Sequence, residues 1–283
     1  MVTNTAVNLV AARSDAERSL GPPAVSPGVY DEHYYRSGCI GSRQWEQSQG
    51  SEMSGFYAGC LERARFEPGG AIVDVGTGRG ELLAAAIERG ARRAIGVDYS
   101  PDGVQLASET LAARGIDDRA EVLLADARRL PVEDGTADLV TMLDVVEHLS
   151  ADELDATLVE TLRVLAPNGS LFIHTLPSRT VYDVTYRFQR ALVPGRRRRW
   201  PADPRNDYER QMHVGEQTLG SLRRALRRAG FDAVDVRPGE WVHADFVPDE
   251  RARKLYWRLA KRRPTARFGV ADIWGRARKA DRA

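Results

Sequence analysis

The chain has 283 residues, 42% hydrophobic and 29% charged, with a formal net charge of +1. That length suits one large α/β domain with extensions, and the ordinary composition supplies a packed core. The near-neutral charge gives no reason to expect a long polyanionic partner, and two cysteines, Cys39 and Cys60, are too few for a disulfide framework.

Residues 1–28 carry Pro22-Pro23 and Pro27-Gly28 and no unbroken apolar stretch, so they read as a flexible leader and not a signal peptide. Residues 29–69 are expected to form a helical arm, and 70–283 the main domain. From about 71 to 176, short β-branched runs alternate with helical patterns, the signature of βαβ units around a parallel sheet. The expected strands are 71–75, 94–98, 121–125, 138–143 and 170–175. Ser100-Pro101 starts one helix, and a second covers roughly 151–165. Residues 177–215 break the pattern with Pro, Arg and aromatics. Thr218 then caps a helix with Leu219, Leu222 and Leu226 on one face. A sixth strand at 231–236, a helix around 249–262 and a short apolar segment, Phe268–Trp274, follow. No run is apolar and long enough to span a bilayer, and no membrane partner is expected.

The sharpest local feature is Val73-Asp-Val-Gly-Thr-Gly-Arg-Gly80, lying between a strand and a helix. Gly76, Gly78 and Gly80 permit a tight turn and let a ligand lie against bare backbone, while free N–H groups open the helix. The G-x-G-x-G spacing differs from the G-x-G-x-x-G of dinucleotide folds. Three acids stand at strand ends. Asp98, 18 residues beyond Gly80, can accept from ribose hydroxyls; Asp126, before Ala127, can receive an adenine amino group; Asp74 can hold the amino end of a bound amino acid. Carboxylates often cap helices after strands, but their recurrence at successive strand ends points to a nucleotide-like cofactor.

The stretches VDVGTGRGE, GVDYS, LLADARRLPVEDGTADLVTMLDVVEHL and LRVLAPNGSLFIHTLPS resemble the class I methyltransferases that use S-adenosylmethionine. The resemblance covers roughly 70–176 closely and 213–236 loosely. It implies an α/β Rossmann-like three-layer sandwich around a seven-stranded, mostly parallel sheet whose last strand is antiparallel. It also implies S-adenosylmethionine as cofactor, held by Asp74, Gly76, Thr77, Gly78, Gly80, Asp98, Tyr99, Asp126 and Ala127, with Leu143 closing the site from beneath. Tyr30–Tyr35 resembles the aromatic segment such enzymes fold over the methionine end, and Tyr34 is its expected contact.

His148, just after the fourth strand, and His174, near the end of the fifth, are the candidate bases; a histidine inside a strand is more often an interior residue. Asp144, Glu147, His148 and His213 form a rival set for a divalent ion, a pattern similar to the small-RNA terminal 2′-O-methyltransferases. The expected site nevertheless holds no metal. The segment 178–214, with Tyr182, Tyr186, Phe188, Trp200, Tyr208 and Arg196–Arg199, is the expected lid over the acceptor; the alternative is packing at a homodimer interface. A charge of +1 makes nucleic acid an unlikely partner. The expected function is methylation of a hydroxyl or amine on a small metabolite in the cytoplasm, with 38 arginines against three lysines hinting at GC-rich bacterial coding and natural-product chemistry. A binding module that only senses the cofactor is the non-enzymatic rival.

Overall fold

The computed structural model describes residues 20–280, except 49, 51, 53, 193–199, 243–249 and 263–264. Three arm helices, α1 (Glu32–Ser37), α2 (Ser42–Ser48) and α3 (Gly55–Ala64), precede the sheet. Then come β1 (Ala71–Val75), α4 (Glu81–Glu88), β2 (Arg93–Asp98), α5 (Pro101–Ala113), β3 (Ala120–Leu124), β4 (Ala137–Leu143), α6 (Ala151–Val164) and β5 (Leu165–Thr175). A π-helical turn at Thr180–Tyr186 runs into α7 (Arg187–Leu192), followed by α8 (Asp207–Met212) and α9 (Leu219–Ala229). Next come β6 (Phe231–Pro238), α10 (Glu250–Ala260), α11 (Ala266–Gly269) and β7 (Ile273–Lys279).

The strand order is β3-β2-β1-β4-β5-β7-β6. Strands β1 to β5 pair in parallel, and β7 lies antiparallel between β5 and β6. The last strand is therefore Ile273–Lys279, beyond most of the apolar segment read from the sequence. Its arginines stand opposite acids of β6, Arg278 beside Asp232 and Arg276 beside Asp235, so a charged strand sits inside a sheet.

Both faces of the sheet are covered, which is why all five residues of β1 are buried, Asp74 included. Val73, Val75, Val140, Met142 and Ile173 pack under Leu154, Leu158, Leu222 and Leu226 of α6 and α9. Ile72, Ala94, Leu139 and Phe172 pack against Leu61, Leu82, Leu83 and Leu111 of α3, α4 and α5. Local signals fix the helix ends: Ser150 and Glu153 form a capping box for α6, and Gly230 closes α9 in the left-handed conformation.

Of the expected leader, residues 20–28 are among the described ones. From Leu20 the chain is laid across the domain: Arg128 donates to the Leu20 and Gly21 carbonyls, and Ala24 N donates to Glu153 Oε1 at 2.7 Å. Residues 1–19 lie outside the described residues.

Candidate functional site

Strands β1 to β4 end on one side of the sheet, and their carboxyl ends form the floor of a cavity of about 330 Å³. Rossmann-like folds place their ligands here because crossover loops leave a crevice at strand ends. The glycine loop forms one wall. Gly76 has φ 73°, and a Cβ there would lie 2.4 Å from Val145 Cγ2, so a side chain has neither the conformation nor the room. Thr77, Gly78, Asp74, Asp98, Tyr99, Asp126, Ala127, Leu143 and Tyr34 also line the cavity. Gly80 does not. At φ 76° it caps α4, and a Cβ there would meet Ala107 Cβ at 3.1 Å, so its smallness serves helix packing.

Each acid is held differently. Asp74 is buried and accepts from Thr141 Oγ1 at 2.7 Å; burial pushes its carboxyl up to about 7. Asp98 accepts from Gly78 N and Ser100 N at 2.9 Å each, and from Tyr35 Oη at 3.3 Å. Burial raises its pKa, and these donors oppose the rise. Asp126 is gripped by Arg128, whose Nη2 donates to Oδ2 at 2.7 Å and Nε to Oδ1 at 3.0 Å.

The arm closes the upper wall with Tyr30, Tyr34 and Tyr35. Its anchor is Arg79, inside the glycine motif. The Arg79 and Glu81 side chains are each 1% exposed and paired at 2.5 Å, while Arg79 Nη1 and Nη2 donate to the Tyr35 and Ile40 carbonyls. Tyr35 and Arg79 escaped the sequence reading, although both sit in motifs it singled out.

The histidines divide. His148 lines the cavity, with Tyr30 Oη hydrogen-bonded to Nδ1 at 3.0 Å. Burial, reinforced by His213, drives its pKa down to about 3, which makes it a neutral and weak base. His174 is buried outside the cavity wall, with Nδ1 2.6 Å from Asp144 and Nε2 3.4 Å from Asp272. Burial opposes its charge, but the two carboxylates prevail and lift it to about 10. Lying between these two carboxylates, it bridges the β4 turn and Asp272, just before β7, and does not line the cavity.

Glu147 is the more capable group. It is buried in the cavity wall, and Thr175 Oγ1 donates to Oε2 at 2.8 Å. Burial raises its pKa, the neighbouring Asp144 adds to this, and His213 opposes it. A Cβ on Gly215 would meet Leu149 O at 1.8 Å; this close approach sets His213 over His148, ring centroids 4.9 Å apart. One donor atom from each of Glu147, His148 and His213 falls within 4.8 Å of the others. Asp144, turned to His174, is not in that group, so the four-residue metal set is not assembled.

The 178–214 segment splits in two. Asn206, Tyr208, Glu209, Met212 and His213 line the cavity. Tyr182 packs with Val181 and Ala271, and Tyr186 stacks on Trp200 at 5.4 Å. Arg205 ties the two parts by donating to Asp183 and Glu216. Arg196–Arg199 lie outside the described residues.

A family model described as a methyltransferase domain matches residues 72–169, which hold the glycine loop, Asp98, Asp126 and Glu147. Residues 72–169 thus carry a methyltransferase domain on a Rossmann-like sheet, as the resemblance to the class I S-adenosylmethionine-dependent methyltransferases implies. The methyltransferase domain is 30% identical over 111 residues to sterol 4-C-methyltransferase strm-1 of Caenorhabditis elegans, covering 39% of this chain and 32% of that one. It is 29% identical over 102 residues to norajmaline N-methyltransferase of Rauvolfia serpentina, 36% of this chain and 34% of that one. The chain spans about a third of the length of these relatives. Among solved structures, the [4+2]-cyclase SpnF superposes with a TM-score of 0.59 at 18% identity, over 92% of this chain and 98% of that one. The Haloferax volcanii complex of the Trm112 methyltransferase activator with its putative methyltransferase gives 0.58 at 20%, over 88% and 97%. Both likenesses concern the fold alone.

The residues present fit the cofactor of this family. The glycine loop lines the cavity at Gly76 and Gly78 without side chains, and Asp74, Asp98 and Asp126, able to accept from hydroxyl and amino groups, line the same cavity from the ends of three strands.

Proposed function

We propose that this chain transfers the methyl group of S-adenosylmethionine to a hydroxyl or amine of a small acceptor. The observation that carries the reading is the convergence of Asp74, Asp98, Asp126 and the glycine loop on the same cavity wall as Glu147. When bound, the cofactor supplies an electrophilic methyl carbon on its sulfonium. Asp98 would hold the ribose hydroxyls, Asp74 the amino end of the methionine part, and Asp126 with Ala127 the adenine. The arm excludes water above them, which strengthens every polar contact beneath. Tyr34 covers the methionine end, Tyr208 and Met212 shape the acceptor's side, and Glu147 takes the proton that the acceptor loses as its bond to the methyl carbon forms. The sterol and norajmaline relatives, both named for small acceptors, support a small molecule over RNA. A natural-product acceptor accords with the norajmaline relative and with the arginine-rich coding pattern. Free Cys39 and Cys60 suit a reducing, cytoplasmic setting.

Asp98→Ala is expected to weaken cofactor binding by about 1–3 kcal/mol through loss of charge-assisted hydrogen bonds. Calorimetry that finds equal affinity removes Asp98 from the site. The reaction itself is tested with methyl-labelled cofactor and metabolite extracts, read by mass spectrometry. Label should enter small molecules, and Glu147→Gln should slow its transfer by roughly 10²–10⁴ while leaving cofactor affinity unchanged. Activity that survives a chelator keeps Glu147 as the base. Activity lost to a chelator and restored by a divalent ion gives Glu147, His148 and His213 to a metal instead. Tight cofactor binding with no transfer to any extract leaves a sensing module.

A further inference from the structure

The charge of this chain is unevenly placed. Between Glu250 and Arg267 the sequence holds eight basic residues and one acidic, although the whole chain is nearly neutral. Most of this excess lies on and around α10. A basic helix alone is an ordinary solvated surface, so the apolar residues beside it decide the matter. Tyr256 and Ala260 turn inward and pack with Val242 and Val270. Leu255 and Leu259, on another face, are 57% and 49% exposed. Trp257 and Phe268 are also exposed, each beneath a cation, Lys261 Nζ 4.3 Å from the Trp257 ring centre and the Arg267 guanidinium 4.6 Å from that of Phe268. The neighbouring α7 abuts α10 through Gln189 and Tyr256 and carries Phe188, 63% exposed.

We infer that α10 and α11 form a docking surface for the interface of a membrane rich in anionic lipid. An interfacial helix buries leucine and aromatic side chains at the acyl boundary while lysine and arginine reach the headgroups, and its net charge matches anionic lipid. Arginine and lysine stems cover apolar surface with their charged ends in water, which is the arrangement over Trp257 and Phe268. Among the described residues no helix is long and apolar enough to cross a bilayer, so α10 lies on the surface and does not span it. A nucleic-acid backbone satisfies the cations equally well but offers nothing to Leu255 and Leu259, which is why lipid is the better occupant. The surface adjoins the cavity: Val242 is packed against α10, and its neighbour Trp241 stands in the cavity wall. Docking thus brings the rim of the site to the bilayer. The inference goes beyond the proposed methyl transfer and does not rest on it.

The test is co-sedimentation of the full chain with vesicles, of phosphatidylcholine alone or mixed with phosphatidylglycerol. Binding is expected to the mixed vesicles only, to weaken at high salt, and to fall on the order of tenfold or more in Leu255→Ser/Leu259→Ser. Both positions are exposed, so the double variant should keep the melting temperature of the parent. Absence of binding to mixed vesicles overturns the inference. So does binding that the leucine substitutions leave intact, which reduces the surface to a charge effect. A short RNA bound as tightly by the variant as by the parent, with no vesicle binding, assigns the cations to nucleic acid. A dimer in sedimentation velocity that the leucine substitutions dissolve assigns the face to a second copy.

Discussion

Replacing Arg79 by methionine is expected to cost about 3–5 kcal/mol of stability, the range for removing one partner of a buried ion pair. The charge left behind is that of Glu81, whose side chain is 1% exposed and which pairs with Arg79 at 2.5 Å. The Tyr35 and Ile40 carbonyls lose their donors at the same time. Methionine fills the volume, so the loss reads the charge and not a cavity. Urea denaturation of the parent, Arg79→Met and Arg79→Met/Glu81→Met provides the check. The double variant should recover most of the loss, because no buried charge then lacks a partner. A single variant within about 1 kcal/mol of the parent, the size of an ordinary surface change, would show that solvent reaches Glu81 after all.

Gly76→Val is expected to abolish measurable cofactor binding. A non-glycine residue at φ 73° carries strain of about 1–3 kcal/mol. The overlap with Val145 Cγ2, 2.4 Å from the first added carbon, is relieved only if the Val145 side chain or the loop shifts. The amides of Gly76 and Thr77 now donate to the Val97 carbonyl at 2.7 and 3.1 Å, and a displaced loop forfeits both bonds. An affinity loss on the order of a hundredfold corresponds to about 2.7 kcal/mol, less than the strain and overlap together impose. Calorimetry decides it. Undiminished affinity would mean that this turn does not touch the ligand.

What the sequence revealed of this site is what short range determines. The glycine loop, Asp98 and Asp126 announce themselves because each sits where a β-branched run meets a helix signal, and the fold then carries them to one cavity. Partners far along the chain leave no such trace. The role of His174 depends on Asp272, nearly a hundred residues later, and no local pattern reveals that a carboxylate meets each ring nitrogen. Strand β7 was hidden for the same reason. Arg276 and Arg278 break the apolar alternation, and only the pairing of their strand with both β5 and β6 makes it an interior one. Glu147 was visible as a candidate metal ligand but not as the base proposed above, because its burial comes from packing around the β4 turn and not from its neighbours in sequence. Gly80 misled in the opposite direction: its spacing matched the loop, while its smallness answers to Ala107.

The position of β7 also sets an order of events during synthesis. As the chain leaves the ribosome, β1 to β5 can pair in turn, each new strand finding a neighbour already made. Strand β6 breaks that progression, since its sheet neighbour is β7 and not β5. When Phe231–Pro238 emerges it has α9 to lie on but no strand to bond with. The edge of β5 stays open as well until Ile273–Lys279 arrives and slots between the two. For the translation of some forty residues, the nascent protein therefore displays two unpaired strand edges, the surfaces most prone to pair with the wrong chain. A single late strand seals both.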